Sequence, residues 1–142
     1  MSNITITLNQ TSETAVQLQH DHFQITVDRP VDKGGGGKGL MGGQYLLIGI
    51  GGCFCSTLFA AAQSRSVDIE GLSVQVIASP SDELPRRFTD VELKVSYLSC
   101  SDDREFDKLL RIAEQGCISV NTVKRGINLS IASVKQNLGD AL

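Results

Sequence analysis

LMGGQYLLIGIGGCFCSTLFAAA, residues 40–62, decides how this chain folds. It carries no charged residue and holds two of the four cysteines, Cys53 and Cys55. A charge-free run of this length could span a bilayer. The flanks argue against that, having neither a belt of Trp and Tyr nor a block of Lys and Arg on one side. The alternative is a helix buried on all sides of a water-soluble protein. Glycines at Gly42, Gly43, Gly49, Gly51 and Gly52 each cost an isolated helix about 1 kcal/mol against Ala. Close backbone packing is the usual compensation. Gly49, Cys53, Ser56 and Ala60 follow at spacings of four, three and four, which puts small residues on one face.

Outward from the helix, short alternating segments point to strands. Before it lie Ile4–Leu8 (ITITL), then Ala15–Leu18, a turn at His20–Asp21, and Phe23, Ile25 and Val27 in period two. Pro30 ends that run, and DKGGGGKG at 32–39 reads as a flexible loop. After the helix, which should end near Arg65–Asp68, come strands around Leu72–Val76 and Val91–Tyr97, separated by the turn SPSDELPRR. Ser101, Asp102 and Asp103 form a helix start. Phe106, Leu109, Leu110 and Ala113 are the helix's apolar face, and Gly116 is its stop. Cys117–Val123 is short and partly apolar, and Ile127, Leu129 and Ile131 alternate as a last strand. This order predicts an α+β fold, with antiparallel sheets packed on a long central helix, in a single domain over 1–142.

A net charge of −3, with Lys and Arg scattered, offers nothing to nucleic acid. The polar N-terminus lacks the features of a signal peptide, which predicts a cytoplasmic protein. Structural disulfides are rare there, so the cysteines read as redox-active, metal-binding or buried. Cys53 and Cys55 are separated by about 200° around a helix and cannot easily share a partner. Cys55 falls with the core residues, and Cys100 closes a strand. Cys53 and Cys117 each follow a glycine, and spacing alone leaves two buried cysteines as good a reading as a reactive pair. Gly34–Lys38 lacks the Gly and Ser/Thr of a phosphate loop, and GIGGCF lacks the last Gly of a dinucleotide motif. His20 and His22 around Asp21 read as a solvated turn rather than a metal site. No metal or cofactor is expected.

Four segments in order, ITVDRP…GGGGKG, LLIGIGGCF, LPRRFTDVELKVSY and AEQGCISVNTV, together resemble the OsmC/Ohr family of osmotically inducible and organic hydroperoxide resistance proteins. The resemblance covers nearly the whole chain. It implies an intertwined homodimer with helices crossing centrally. It also implies a thiol-dependent peroxidase acting in oxidative stress defence, with Cys53 reactive and Cys117 the resolving cysteine. The partners it implies are an organic hydroperoxide and an external dithiol reductant, with no membrane or nucleic acid. Two departures accompany it. The family's Pro-Glu, ten residues before the first cysteine, is Gly42–Gly43, and its Cys-Pro is Cys117–Ile118. Without that glutamate the family arginine has no clear counterpart. Arg29, just before the glycine loop, is the candidate cation. A small-ligand-binding or redox-sensing dimer without catalysis stays open as the alternative, as does a purely structural dimer.

Overall fold

The structure, a computed structural model, describes residues 2–137. The long apolar stretch is one helix, α1 (Gly42–Ser64). Its start is tied by Gln44, whose side chain accepts from the Met41 N–H at 3.0 Å, a reciprocal cap. Within the helix start expected at Ser101–Asp103, the N-cap is Asp102, whose carboxylate accepts from the Arg104 N–H at 3.1 Å and opens α2 (Asp103–Gly116). Ser101 does something else: its hydroxyl accepts from the Asp68 N–H at 2.8 Å.

The strands form three small antiparallel sheets. β1 (Asn9–Gln10), β2 (Val16–His20) and β3 (Phe23–Val27) make the first, with β2 and β3 joined by a turn at Asp21–His22, one residue later than the expected His20–Asp21. β5 (Ser73–Pro80) and β6 (Phe88–Ser96) make a long hairpin. β4 (Ile69–Glu70) and β7 (Ser99–Cys100) form a two-residue pair too short to show a period.

One stripe of α1 forms the centre of the core. Ile50, Phe54, Leu58, Ala61 and Ala62 are buried, and the last four of them pack against Leu109, Ala113, Cys117 and Val120. Leu109, Ala113 and Cys117 recur every four residues, so they share one face of α2 and its end, and each is 0 % exposed. Gly51 allows α1 to lie close to β5: a Cβ there would stand 2.6 Å from Val76 Cγ2.

Four expectations need correcting. First, α1 is not buried on all sides. Gly49, Gly52, Ser56 and Ala60 lie on an open face, and Leu46 and Ile48 are each 53 % exposed. The small-residue face is therefore not what closes the core of one chain. Second, Ile4–Leu8 and Ile127–Ile131 form no strand. Their apolar residues are exposed, 88 % at Ile4 and 91 % at Ile131, and no strand edge among the described residues pairs with them.

Third, Cys117 is followed by a helix, α3 (Ile118–Arg125). Its β-branched residues, Ile118, Val120, Thr122 and Val123, and Asn121 are weak helix formers, so propensity did not announce it. Packing holds it instead. Val120 is buried, and Asn121 donates from its side chain to the Gln115 carbonyl at 3.0 Å. Fourth, the glycine loop is not slack. It opens with a 3-10 turn at Val31–Lys33 and winds around the buried Asp28 carboxylate. That carboxylate accepts from the N–H groups of Arg29, Gly36 and Lys38 and from the Thr14 hydroxyl. The Lys38 N–H is the largest cause of an Asp28 pKa held below its ordinary value, followed by Thr14. Glycine is required at Gly39, where a Cβ would run into the Thr26 carbonyl.

Candidate active site

Cys117 is the joint between two helices: it is the C-cap of α2 and the N-cap of α3, with an extended backbone (φ −82, ψ 116). Seated by Leu109 and Ala113 in the core, its side chain faces α1. Its thiol donates to the Cys53 sulfur at 3.4 Å. Helix packing therefore brings together two cysteines that lie 64 positions apart in sequence. Cys53 is half-buried and Cys117 is buried. Cys55, one helical step of about 200° from Cys53, is half-buried elsewhere, and burial raises its pKa. Cys100 donates to the Asp102 carbonyl at 3.3 Å.

The first turn of a helix leaves its N–H groups without intrahelical partners. In α3 the first intrahelical bond is Asn121 N–H to the Cys117 carbonyl at 3.0 Å, and Cys117 provides no side-chain cap. The Cys53 sulfur, reached from α1, lies 3.4 Å from the sulfur of that N-cap residue. The Ser119 hydroxyl is the largest cause of a Cys53 pKa lowered from its ordinary value, and the Ser119 N–H comes next. Burial opposes them. Smaller contributions in the lowering direction come from Cys117 and Thr57, and the Thr57 hydroxyl also donates to the Cys53 carbonyl at 2.9 Å. Thiols at helix N-termini are expected to shift this way. Cys53 itself lies mid-helix in α1, away from that helix's own start, where the dipole has faded.

Arg29 is not brought to this pair within the chain. Its main chain is fixed in the glycine loop, by Asp28 at its N–H and by the Gly37 N–H at its carbonyl. Its side chain is exposed, and no hydrogen bond or ion pair among the described residues joins it to either cysteine. Gly43, where the resemblance expects glutamate, lies beneath an aromatic ring: a Cβ there would be 3.6 Å from Phe88 Cζ. His20 and Asp21 stand 3.7 Å apart on an exposed turn.

A groove of about 430 Å³ runs beside the pair, though neither cysteine lines it. Its apolar floor includes Phe54 and Val120, the residues next to Cys53 and Ser119, together with Leu93 and Leu110. Glu92, Arg111, Glu114 and Lys124 form its charged rim. Lys124 and Glu114 are paired at 3.3 Å and exposed, a contact of small energetic weight.

Known proteins share the fold described above. The profile of the OsmC-like protein family matches residues 35–132. No curated protein matches the chain by sequence. Among solved structures, the chain is similar to an OsmC-like protein from Mycoplasma pneumoniae, at 23 % identity and a TM-score of 0.74 over 87 % of this chain and 88 % of that one. It is also similar to an organic hydroperoxide resistance protein OsmC from Legionella pneumophila (18 %, TM-score 0.64, 87 % and 92 %). A third is the organic hydroperoxide resistance protein of Elizabethkingia anophelis (18 %, TM-score 0.59, 87 % and 90 %). At these identities the structural likeness shows the α+β fold alone. The family match spans both cysteines, the whole of α1 and all of α2 and α3, and by it the chain belongs to the OsmC-like protein family.

Proposed function

We propose that the protein is a thiol-dependent peroxidase that reduces organic hydroperoxides through Cys53 and Cys117, in the cytoplasm, as part of oxidative stress defence. The observation that carries this reading is the 3.4 Å contact between a half-buried sulfur with lowered pKa and a buried second sulfur. The Cys53 thiolate attacks the terminal peroxide oxygen. The O–O bond breaks, the alkoxide takes a proton and leaves as the alcohol, and Cys53 becomes a sulfenic acid. Cys117 then attacks that sulfur, its proton leaves with the hydroxyl as water, and a disulfide results. An external dithiol returns both cysteines to thiols. Within one chain Arg29 takes no part in these steps; a part for it requires the loop of a second subunit.

The protein acts, in this reading, as an intertwined homodimer of single-domain subunits. Support comes from the apolar groups one chain leaves open: the α1 face around Gly52 and the unpaired segments at Ile4–Leu8 and Ile127–Ile131. Gly52→Leu tests this. Nothing of its own chain lies within 4 Å of a Cβ at Gly52, so the substitution strains nothing within a subunit. It is expected to break or loosen the dimer, seen as a fall in mass by light scattering at micromolar concentration. A wild-type protein that is already monomeric under those conditions overturns the dimer.

One observation favours the second reading, a small-ligand-binding dimer without turnover: the 430 Å³ groove next to the site. The readings part on whether peroxide consumes the cysteines. One equivalent of an organic hydroperoxide is expected to join Cys53 to Cys117, detected by peptide mapping under non-reducing conditions. A Cys55–Cys100 bond, or no bond, removes the peroxidase reading.

A further inference from the structure

The groove and the sulfur pair are built on the same two helices. Phe54 of the groove floor follows Cys53 in α1, and Val120 lies three residues after Cys117 in α3. Phe54, Cys117 and Val120 belong to one buried cluster, with Cys53 and the floor residues Leu93 and Leu110 packed against it. The reduced sulfurs stand 3.4 Å apart, and a disulfide holds them at about 2.05 Å. Cys117 is 0 % exposed, and a close-packed interior passes such a displacement on rather than absorbing it. The bond from the Asn121 N–H to the Cys117 carbonyl ties that residue to the first turn of α3. We propose that the groove binds the uncharged alkyl tail of the hydroperoxide and of the alcohol it becomes, and that closing the Cys53–Cys117 disulfide draws Val120 toward Phe54 and expels the alcohol. The proposal rests on the peroxidase reading for the source of the alcohol, and on the geometry alone for the coupling of groove to disulfide.

The occupant follows from the lining. A volume of about 430 Å³ suits a small molecule, whose sites run from about 300 to 1,000 Å³. The rim carries two carboxylates, Glu92 and Glu114, against two cations, Arg111 and Lys124, and Glu114 is already paired with Lys124. Balanced charge selects no ion of either sign, so the apolar floor decides in favour of a neutral chain. In turnover, two thiols and one hydroperoxide become one disulfide, one alcohol and one water. The alcohol forms beside the groove one step before the sulfurs join. Coupling between a ligand and a two-state element is reciprocal. A tail in the groove therefore favours the thiol pair by the same factor by which the disulfide weakens the tail. Reduction by the external dithiol then reopens the groove for the next hydroperoxide.

The test uses octanol as the probe, a neutral alcohol that cannot oxidise a thiol. The disulfide is made with diamide, an azo compound that takes two hydrogens from a thiol pair without peroxide chemistry. Calorimetry of the full-length protein should show octanol binding to the reduced form, and binding at least about fivefold weaker to the disulfide form, the lower end of couplings between sites. Saturating octanol should in turn raise the reduction potential of the pair by about 20 mV, that factor converted for a two-electron couple. Cys117→Ser treated with diamide should keep the octanol affinity of the reduced protein. Val123→Glu puts a charge into the groove wall at a position 49 % exposed, and should abolish binding. Circular dichroism guards against loss of α3 in that variant, and the comparison of the two redox forms needs no variant. No binding to the reduced form, equal or tighter binding to the disulfide form, or binding that survives Val123→Glu overturns the proposal. Peroxide consumption measured without octanol reports the peroxidase reading separately.

Discussion

Cys53→Ser is expected to reduce organic hydroperoxide consumption to the level of protein-free buffer, a loss of ~10²-fold or more. A serine hydroxyl stays protonated at neutral pH and is a poor nucleophile toward peroxide oxygen. Cys117→Ser should behave differently. Its first turnover should proceed, because the attacking sulfur remains. Later turnovers should fail, because the sulfur that stands 3.4 Å away to condense with the sulfenic acid is gone. That intermediate should then move on to the sulfinic acid under excess peroxide. Stopped-flow kinetics with one and with many equivalents of peroxide distinguishes the two variants. Organic hydroperoxides should react faster than hydrogen peroxide, since the groove floored by Phe54, Leu93, Leu110 and Val120 offers an apolar surface to their tails. Unchanged consumption by Cys53→Ser would sink the reading outright.

The second large effect is on stability. Leu109→Ala should cost 2–5 kcal/mol, the range for emptying a fully buried leucine site that cannot collapse. Leu109 is 0 % exposed and packs in the cluster with Leu58, Phe54 and Cys117. Leu84→Ala is the control: that side chain is 79 % exposed, and its loss should stay within about 0.5 kcal/mol. Urea unfolding of the reduced protein measures both. Because Leu109 shares its stripe with Cys117, the variant should also loosen the sulfur pair and slow disulfide formation at equal peroxide. A Leu109→Ala cost below about 1 kcal/mol would mean that α1 and α2 are not held by this face.

The sequence showed most clearly the parts whose stability is local. Period-two alternation at Val16–Val27 and at Ser73–Ser96 became hairpins, and the charge-free run became α1. The acidic start of α2 was legible because capping chemistry sits within three residues. What depends on distant partners was not. α3 is made of weak helix formers and exists through Val120 and Asn121, which touch residues of α2 and the core. Ser119 thus looked like one polar residue among several. The same limit works the other way at Ile4–Leu8 and Ile127–Ile131: the alternation is strong, yet a strand needs an edge to pair with, and the described residues of one chain supply none. For the cysteines, spacing chose no pair; the resemblance did, and the geometry sets those two side by side.

The separation of the two sulfurs along the chain has an electrochemical consequence. A covalent bond between them would close a ring of some 64 residues through α1, both later sheets and α2. Tethering so long a loop removes unfolded-chain entropy worth about 4 kcal/mol in the chain-entropy account. By thermodynamic cycle, the folded protein favours its own oxidised form by the same amount. For a two-electron couple that is about 90 mV toward negative potential relative to the same two thiols in the unfolded chain. In the proposed reaction, the folded core thereby sets how strong a dithiol must be to undo that bond.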